Sequence, residues 1–321
     1  DAEPPGPVGH HVVRGNTIRH CGVCGLAGAF GVANCLIEGN LIEHVGWQDV
    51  ERMWECAGIK FHFARSTLLR RNILRRLRHA CGIWLDCGNA NCRVTDNVLA
   101  DIETVVAGVY SEMNFETNLI DRNVFWDIRR AEPRERPDEP AEQGGGVKAD
   151  CNETLVVAHN FFGRVEGEAV HFTLNQANRA LGGRTGLCRA NAAWNNVFHR
   201  CPHRLRLGRR EDNRSDGNLF DAADDACSFA ITAPQPGCRQ DLAGWRTYFG
   251  LDEHSAQGHV EAEFDVESLQ LSWRVDGPAP QAQPVPLPAA GAHPAAPGPF
   301  QPEAWQQSLS GQWAAQVFPS T

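Results

Sequence analysis

The sequence predicts an all-β solenoid, and three patterns support that prediction. An asparagine followed by two apolar or β-branched residues recurs along most of the chain. The segments around it are short, rich in β-branched residues and bounded by glycine, asparagine and aspartate, as strands are. Several segments that open with glycine also share one alternation of side chains. Together these patterns are typical of stacked coils that contribute short strands to long sheets.

The asparagine repeat sets the period of the solenoid. Successive asparagines are separated by 24, 32, 25, 26, 37, 36 and 22 residues, so a short period is interrupted by insertions. We interpret one period as one coil of a parallel β-helix, in which stacked asparagines bond to one another and to the backbone. Asparagine also tolerates the left-handed backbone that a sharp turn requires. The repeats begin at Asn16, Asn40, Asn72, Asn97, Asn123, Asn160, Asn196 and Asn218.

A β-sandwich built from hairpins is the alternative fold. Such a fold would show tight two-residue turns such as Asn-Gly between its strands. Signals of that kind are only scattered in this sequence. Because a single coil cannot bury its inward face, a solenoid also requires many neighbouring repeats, as found here. We therefore favour the parallel β-helix.

The repeat divides the chain into three predicted regions. Residues 1–220 form the parallel β-helix, residues 221–275 form a C-terminal capping segment, and residues 276–321 form a tail. The tail is rich in proline and alanine, which predicts flexibility. A charged insertion at residues 131–146, rich in proline and glycine, predicts a mobile loop between two coils.

The capping segment contains the one predicted helix. Asp241–Gly250 is a short amphipathic stretch, and strand-like sequence follows at Glu263–Val266 and Leu269–Trp273. We expect these elements to cover the open end of the solenoid, where the last coil has no neighbour.

Composition limits the class of protein. The 321 residues are 42% hydrophobic and 21% charged, which is enough apolar sequence for a sizeable core. A net charge of −9 argues against a nucleic-acid binder, which normally carries a basic face. No run approaches the ~18 apolar residues of a membrane span, and no signal peptide is visible. Localisation is left open between a secreted and a cytoplasmic enzyme of bacterial type.

Twelve cysteines are many for a cytosolic enzyme. Cys21 and Cys24 form the only CxxC pair, without a second pair at the distance of a zinc site. Most of the others adjoin apolar runs, so we expect small buried hydrophobic residues. Cys227 and Cys238 flank a turn of proline and glycine and are the predicted disulfide. We expect no metal and no cofactor.

Four segments that open with glycine align into one register. In each, the second and fourth residues are apolar or small and are expected to face the core. The third and fifth residues should then face outward. The segments are Gly58–His62, Gly82–Asp86, Gly108–Glu112 and Gly146–Asp150. The outward rows are Lys60, Trp84, Tyr110 and Lys148 at the third position, and His62, Asp86, Glu112 and Asp150 at the fifth.

Two adjacent carboxylates in the second row predict a catalytic pair. Neighbouring strands lie about 4.8 Å apart, so Asp86 and Glu112 should project their carboxyl groups at roughly that separation. Retaining glycosidases use two carboxyl groups about 5–5.5 Å apart, one as nucleophile and one as acid/base. Such closeness keeps one of the two protonated near neutral pH. Outward carboxylates on a solenoid are also ordinary solvated residues, and that interpretation competes with the catalytic one.

Other side chains on this face are predicted to bind substrate. Trp84 and Tyr110 are expected to be exposed and to stack on the faces of a sugar ring. Asn114 is expected to point outward two residues beyond Glu112, and Glu55 lies at a turn beside the same face. The remaining predicted substrate-binding residues are His62, Lys148 and Asp150.

The sequence around the carboxylates resembles a known family. Trp84-Leu85-Asp86, followed one coil later by Ser111-Glu112-Met113-Asn114, is similar to the right-handed β-helix glycosidases of glycoside hydrolase family 120, the β-xylosidases. Family 141, which has fucosidase and xylanase members, is similar almost to the same degree. The segments at residues 54–60, 241–245 and 264–269 look similar as well.

The resemblance implies a right-handed parallel β-helix and a retaining glycoside hydrolase that cleaves a xylose-type or related bond. It implies that Asp86 is the nucleophile, Glu112 the general acid/base and Glu55 a supporting carboxylate. The implied partner is a carbohydrate substrate, with no nucleic acid and no membrane.

Two other functions stay open. A polysaccharide lyase on the same scaffold would combine Ca²⁺-binding carboxylates with a lysine or arginine base, for which Lys60, Lys148 and Asp150 are available. A non-catalytic carbohydrate-binding solenoid would use Trp84 and Tyr110 to hold a sugar without cutting a bond. The close carboxylate pair favours hydrolysis over both.

Overall fold

The computed structural model describes residues 8–47, 55–131, 143–175, 179–208, 213–224, 227–232 and 237–285. Most of the predicted loop (132–142) and most of the predicted tail (286–321) lie outside these residues. In the part of the chain that is described, no helix is long and apolar enough to cross a membrane.

The described strands assemble into three long sheets around one core, which confirms the parallel β-helix. The first sheet contains Val12–Arg14, Leu36–Glu38, Leu68–Arg70, Arg93–Thr95, Leu119–Asp121, Val156–Ala158, Asn191–Trp194 and Asn213–Asp216. The second contains Thr17–Arg19, Leu41–Glu43, Ile73–Arg78, Val98–Thr104, Val124–Arg130, Phe161–Val165, Val197–His199, Leu219–Asp221, Ala256–Asp265 and Gln270–Asp276. The third contains Cys24–Ala29, Ala57–His62, Cys81–Asp86, Ala107–Glu112, Gly145–Asp150, Glu168–Thr173, His203–Leu207, Phe229–Ile231 and Cys238–Gln240.

The repeated asparagines form a hydrogen-bonded ladder through the turn between the first and second sheets. The Oδ1 atom of Asn97 accepts from both the backbone N–H and the side-chain amide of Asn72, at 2.9 and 3.0 Å. The Nδ2 atom of Asn97 donates in turn to Asn123 Oδ1 at 3.0 Å and to the Leu69 carbonyl at 3.0 Å. The same pattern links Asn16 to Asn40 at one end and Asn196 to Asn218 at the other. Each rung therefore satisfies buried backbone groups of the turn and fixes the register of two coils.

The left-handed turn residue is not the asparagine, so that part of the prediction is wrong. The residue one position earlier has the positive φ: Gly39 at 62°, Asp96 at 54° and Arg122 at 58°. Few residue types favour this conformation, yet aspartate and arginine adopt it because the ladder fixes the turn on both sides. Asparagine is used here for its amide, which can donate and accept at once.

The two apolar residues after each asparagine face opposite sides of the second sheet. Those at the first position, such as Val98 and Val124, lie outside the helix in a cluster with Phe264 and Leu271. Those at the second position enter the core, where Phe125 and Phe162 stack with ring centroids 4.7 Å apart. The Phe162 ring continues the stack to Phe198 at 5.2 Å. The repeat therefore encodes a polar rung, an outer apolar residue and an inner one.

A column of glycines explains why the third sheet can be aligned on glycine. A Cβ atom on Gly82 would lie 2.5 Å from the carbonyl oxygen of Gly108 and 2.6 Å from the Leu99 side chain. A Cβ atom on Gly58 would lie 2.8 Å from the carbonyl oxygen of Gly82, and one on Gly146 would lie 2.5 Å from the carbonyl oxygen of Ala169. Any side chain here would push neighbouring coils apart, so glycine is required by the close approach of the coils.

The predicted helix is confirmed at Leu242–Phe249 and closes the end of the core. The Asp241 side chain accepts from the Gly244 N–H as the N-cap, and Gly250 ends the helix with φ of 61°. Trp245 is fully buried, with its ring 5.5 Å from that of Phe229. Its indole N–H donates to Asp252 at 3.0 Å, and Asp252 also accepts from the amide of Asn218 at 2.8 Å. The aspartate therefore receives the last rung of the asparagine ladder.

The strands after the helix form a hairpin, Ala256–Asp265 with Gln270–Asp276. The start of its first strand pairs with Leu219–Asp221, so the hairpin extends the second sheet beyond the last coil. It packs along the outside of the second sheet, where Arg75 donates to the Val266 carbonyl at 3.0 Å. The outer row of that sheet is apolar, and the hairpin packs there because it buries these side chains away from water.

The predicted disulfide is wrong. Both Cys227 and Cys238 are free and exposed. The antiparallel register places Cys238 opposite Ile231, four residues beyond Cys227, so the two thiols are on different rungs.

Removing one buried rung should destabilise the whole solenoid. Asn97→Ala leaves the Asn72 amides and the Leu69 carbonyl without their partner. We expect the free energy of unfolding to fall by about 3–5 kcal/mol, measured by urea denaturation. The matched control is Asn16→Ala, at the exposed end of the same ladder, which should cost less than about 1 kcal/mol. Equal losses at both positions would contradict the role of burial.

Candidate active site

The third sheet has the register that the sequence alignment predicts. Asp86 pairs with Glu112 on the next strand, and His62 and Asp150 continue this row on either side. Trp84 pairs with Tyr110 in the neighbouring row. Lys60 and Lys148 flank that aromatic pair, and His171 extends its row by one coil. All of the predicted outward positions on these strands therefore lie on one face, opposite the core residues Ile83 and Leu85.

The prediction that this face is exposed is wrong. Trp84 and Tyr110 keep only 3% and 6% of their surface, and Asp86 and Glu112 keep 5% and 3%. The two rings lie 5.3 Å apart in a cluster with Val105, Val106 and Ala131. Strand alternation shows that a side chain leaves the core, but it cannot show whether a connecting segment lies over it. This sheet therefore carries a second, polar and aromatic interior outside the solenoid.

Asp86 lies in a network of donors and cations. Its Oδ2 atom is 2.8 Å from Lys60 Nζ and 3.3 Å from His62 Nε2. Its Oδ1 atom accepts from the Cys87 thiol at 2.9 Å. Charge-assisted contacts of this kind stabilise a buried carboxylate in its ionised form. Both carboxylate oxygens of Asp86 are therefore in contact with donors.

Lys60 connects three features of the site. Its ammonium lies 3.3 Å from the centroid of the Trp84 ring, so the tryptophan face is covered by a cation. It also lies 3.0 Å from Glu55 Oε2, whose side chain is 63% exposed. Glu55 therefore reaches the site through Lys60, which agrees with a supporting rather than a direct contact with Asp86.

Glu112 is paired with a residue that the sequence analysis missed. The Arg179 guanidinium contacts the Glu112 carboxylate and lies 3.4 Å from the Cys87 sulfur. Burial lowers the pKa of Arg179 and the Glu112 carboxylate raises it, and the balance is a raised pKa, so the guanidinium stays charged. Arg179 lies in an insertion that does not follow the repeat. In the sequence, the only sign of a role for this insertion is its length between two coils.

His62, Asp86 and Cys87 are the side chains best placed to hold a metal, since their ligand atoms lie within 4.8 Å of one another. Burial and then the Asp86 charge raise the pKa of the Cys87 thiol far above its usual range, so the sulfur keeps its proton. Lys60 already neutralises Asp86. A protonated thiol and an adjacent ammonium make this a poor cation site.

Asn114 does not face the site, and its predicted outward direction is wrong. It is fully buried, donates to the Leu85 carbonyl at 2.8 Å and accepts from the Asn89 backbone N–H at 2.7 Å. It belongs to a second asparagine ladder at the end of the third sheet, so its amide is already used to bind the turn.

The far side of the site is cationic. Asp150 accepts from the Asn175 backbone N–H at 2.8 Å. Lys148 is buried, with only 5% of its surface exposed. Within the described residues its ammonium makes no ion pair. Its nearest described ring is Tyr110, with the centroid 6.0 Å away. A buried cation without an anion is costly unless a ligand group completes it.

His171 is held neutral beside Lys148. Burial, followed by the charges of Lys148, Arg206 and Arg239, lowers its pKa well below the ordinary value of 6.5. Glu168 compensates both arginines, at 3.5 Å from Arg206 and 2.8 Å from Arg239. Nothing in the sequence alignment marked this histidine, because its strand lacks the glycine used to find the others.

One family model agrees with the architecture, and two solved structures show a distant similarity. A family model for the right-handed β-helix region matches residues 7–162. One solved structure, a complex of XylC with xylose, is 17% identical over 66% of this chain and 36% of that chain, with a TM-score of 0.49. Another, a glycoside hydrolase, is 20% identical over 59% of this chain and 32% of that one, with a TM-score of 0.37. No curated protein sequence matches significantly.

The protein is therefore a right-handed parallel β-helix. It spans about a third of the length of the two solved structures. Its particular feature is a row of three carboxylates, Asp86, Glu112 and Asp150, buried on the third sheet beside a row that carries Lys60, Lys148 and His171.

His171 should make the fold sensitive to acid. The folded state keeps this histidine neutral, whereas the unfolded chain protonates it near pH 6.5, so stability is lost as the pH falls below that value. The loss should approach about 1.4 kcal/mol per pH unit and should disappear in His171→Phe, as measured by urea denaturation from pH 7.5 to 5.

The control for that experiment is His254→Phe. Asp216 raises the pKa of the exposed His254, so its contribution has the opposite sign and is lost as the pH rises. An unchanged acid slope in His171→Phe would show that another group causes it.

Proposed function

We propose that this protein is a retaining glycoside hydrolase, with Asp86 as nucleophile and Glu112 as general acid/base. One observation carries the proposal: the two carboxylates are register partners on adjacent strands. Strands about 4.8 Å apart bring two carboxyl groups within the range that a double displacement uses. Both groups are buried and each has its own cation, which is not how solvated surface acids are arranged.

The two carboxylates have different surroundings, as the two roles require. Lys60 and His62 contact one oxygen of Asp86, and this carboxylate would attack the anomeric carbon. Glu112 would protonate the leaving oxygen, and then remove a proton from the water that releases the sugar. In the arrangement described, Arg179 opposes protonation of Glu112. The Arg179 side chain is 47% exposed, so it can move toward solvent when substrate enters, and the substrate would then replace it as the partner of the buried Glu112.

The proposed substrate is a xylose-type or related glycoside. The support is the resemblance of the Trp84–Asp86 and Ser111–Asn114 segments to family 120, together with the polar row that runs from His62 to Asp150 on either side of the carboxylates. Tyr110 and Lys148 would line the sugar site beside the carboxylates, with His62 and Asp150 at its two ends. Trp84 would hold Lys60 in place rather than stack on the sugar, since the ammonium covers its ring.

The test is a panel of nitrophenyl glycosides that includes the β-xyloside. Glu112→Gln should lower kcat on the favoured substrate by about 10²–10⁴-fold, the usual contribution of general acid–base catalysis. Asp86→Ala should abolish turnover, and azide should restore it by attacking in place of the missing carboxylate. Glu116→Gln is the matched control, an exposed carboxylate on the same coil that should leave kcat unchanged.

Other outcomes point to the other functions. An unsaturated product absorbing in the ultraviolet, with activity lost to a calcium chelator, would replace hydrolysis by lyase chemistry. Binding of glycans with no turnover, unaffected by Glu112→Gln, would leave a carbohydrate-binding solenoid. A panel on which no substrate distinguishes wild type from Glu112→Gln contradicts the proposal.

Arg179 should set the pH range of the reaction. Arg179→Gln removes the cation that opposes protonation of Glu112, so the acid form persists to higher pH. The alkaline limb of the kcat/KM profile should move up by about 0.5–1 pH unit. Arg184→Gln is the control, because Arg184 lies on the same insertion but pairs with Glu153 at 2.8 Å. A limb that moves equally in both variants would contradict the specific role of Arg179.

A further inference from the structure

Apart from the candidate active site, a groove lies on a different face of the solenoid. It has a volume of about 600 Å³ and is bounded by the second sheet and the C-terminal hairpin. His199 and Asp221, both 2% exposed, contribute to it from the sheet. Glu261, Trp273 and Arg274 contribute from the hairpin. The candidate active site is on the third sheet, so the two sites do not share residues.

His199 and Asp221 form an oriented pair beside this groove. The Nδ1 atom of His199 is 3.0 Å from Asp221 Oδ2, and the other carboxylate oxygen accepts from the backbone N–H groups of Ala223 at 3.2 Å and Val260 at 3.3 Å. Burial raises the pKa of Asp221, but the bonds from His199 and the backbone outweigh it and leave the pKa lowered. The carboxylate is therefore ionised, and Nδ1 carries the proton that it accepts.

The other ring nitrogen of His199, one of the residues that line the groove, is left as an acceptor. With the proton on Nδ1, Nε2 has a free lone pair. This nitrogen is buried and has no hydrogen-bond partner among the residues that the structure describes. The ring is held by Trp126, at 6.1 Å between centroids and 20° between planes. A fixed, buried and unpaired acceptor is costly, and a ligand donor would remove that cost.

The surrounding charges indicate what kind of donor fits. Glu261 is neutralised by Arg274 at 2.6 Å, and Arg200 and Glu263 add one charge of each sign. The remaining charge, on Asp221, is already bonded to His199 and to two backbone N–H groups. A strongly anionic or cationic ligand would therefore gain little. Among the described residues, the one group of metal-ligand side chains within 4.8 Å of one another is at Asp86, not in this groove. Trp273 supplies an apolar surface among these polar groups. Hydroxyl groups on a neutral ring satisfy both features.

We propose that this groove is a second binding site, for a neutral saccharide, in which His199 Nε2 accepts a hydrogen bond from a sugar hydroxyl. Trp273 packs against the ring, and the charged side chains at the rim bond to the remaining hydroxyls. The site does not depend on the proposed hydrolysis, since it uses a different sheet and a different part of the chain.

The test is calorimetric titration of the full chain with xylohexaose and cellohexaose, with a galacturonic acid hexamer as the charged comparison. Asp86→Asn is used as the background, so that turnover does not interfere. We expect at least one neutral oligosaccharide to bind more tightly than the charged one. His199→Phe, which keeps a ring against Trp126, should weaken that binding about tenfold, as expected for one buried hydrogen bond.

Two further variants separate a lost ligand contact from a damaged fold. Ser272→Trp fills the groove from an exposed strand position and leaves His199 in the sequence. This variant should abolish binding. His254→Phe removes another histidine–aspartate pair, an exposed one in which His254 Nδ1 lies 2.6 Å from Asp216 Oδ2. It should leave binding unchanged. Failure of both neutral oligosaccharides to bind, binding that survives Ser272→Trp, or a stronger affinity for the charged hexamer would each overturn the proposal.

Discussion

The asparagine ladder is the interaction on which the rest of the molecule depends. Each amide satisfies two donors of the preceding turn and one carbonyl, all in a buried position where an unmade bond is expensive. The rungs fix the spacing and the register of successive coils, and the other two sheets follow because each coil passes through all three. The pairing of Asp86 with Glu112 is a consequence of that register. A repeat that exists for stability therefore supplies the separation that a pair of catalytic acids needs.

The third sheet shows how a solenoid can bury charge outside its core. Its carboxylates lie in one row and its lysines in the neighbouring row, and each buried anion that we propose to be catalytic has a lysine or arginine within reach. Removing one partner from such a pair leaves an uncompensated buried charge, which costs far more than the pair contributes. Lys148 is the exception, since it is buried without an ion pair in the described structure.

The C-terminal segment solves two different problems of the same repeat. The helix at Leu242–Phe249 closes the core by placing Trp245 on Phe229, and Asp252 accepts the final asparagine rung. The following hairpin covers the outer apolar row of the second sheet. A hairpin laid on a sheet cannot fit closely everywhere, and the groove beside His199 is the space left between them. The second proposed site therefore arises from the way the solenoid is covered.

The sequence by itself determined the parallel β-helix, the asparagine rungs, the C-terminal helix and the pairing of Asp86 with Glu112. All four follow from short-range periodicity, because strand alternation and a repeated turn fix which side chains share a row. Tertiary structure alone decided that the row is buried, that Asn114 belongs to a second ladder, and that Arg179 pairs with Glu112. It also separated Cys227 from Cys238. The burial of the row, the Arg179 contact and the cysteine positions depend on insertions and covering segments that have no period, so contacts between distant parts of the chain set them. The ladder of Asn89 and Asn114 does repeat, but its amides turn inward after the strand has ended, where strand alternation no longer applies.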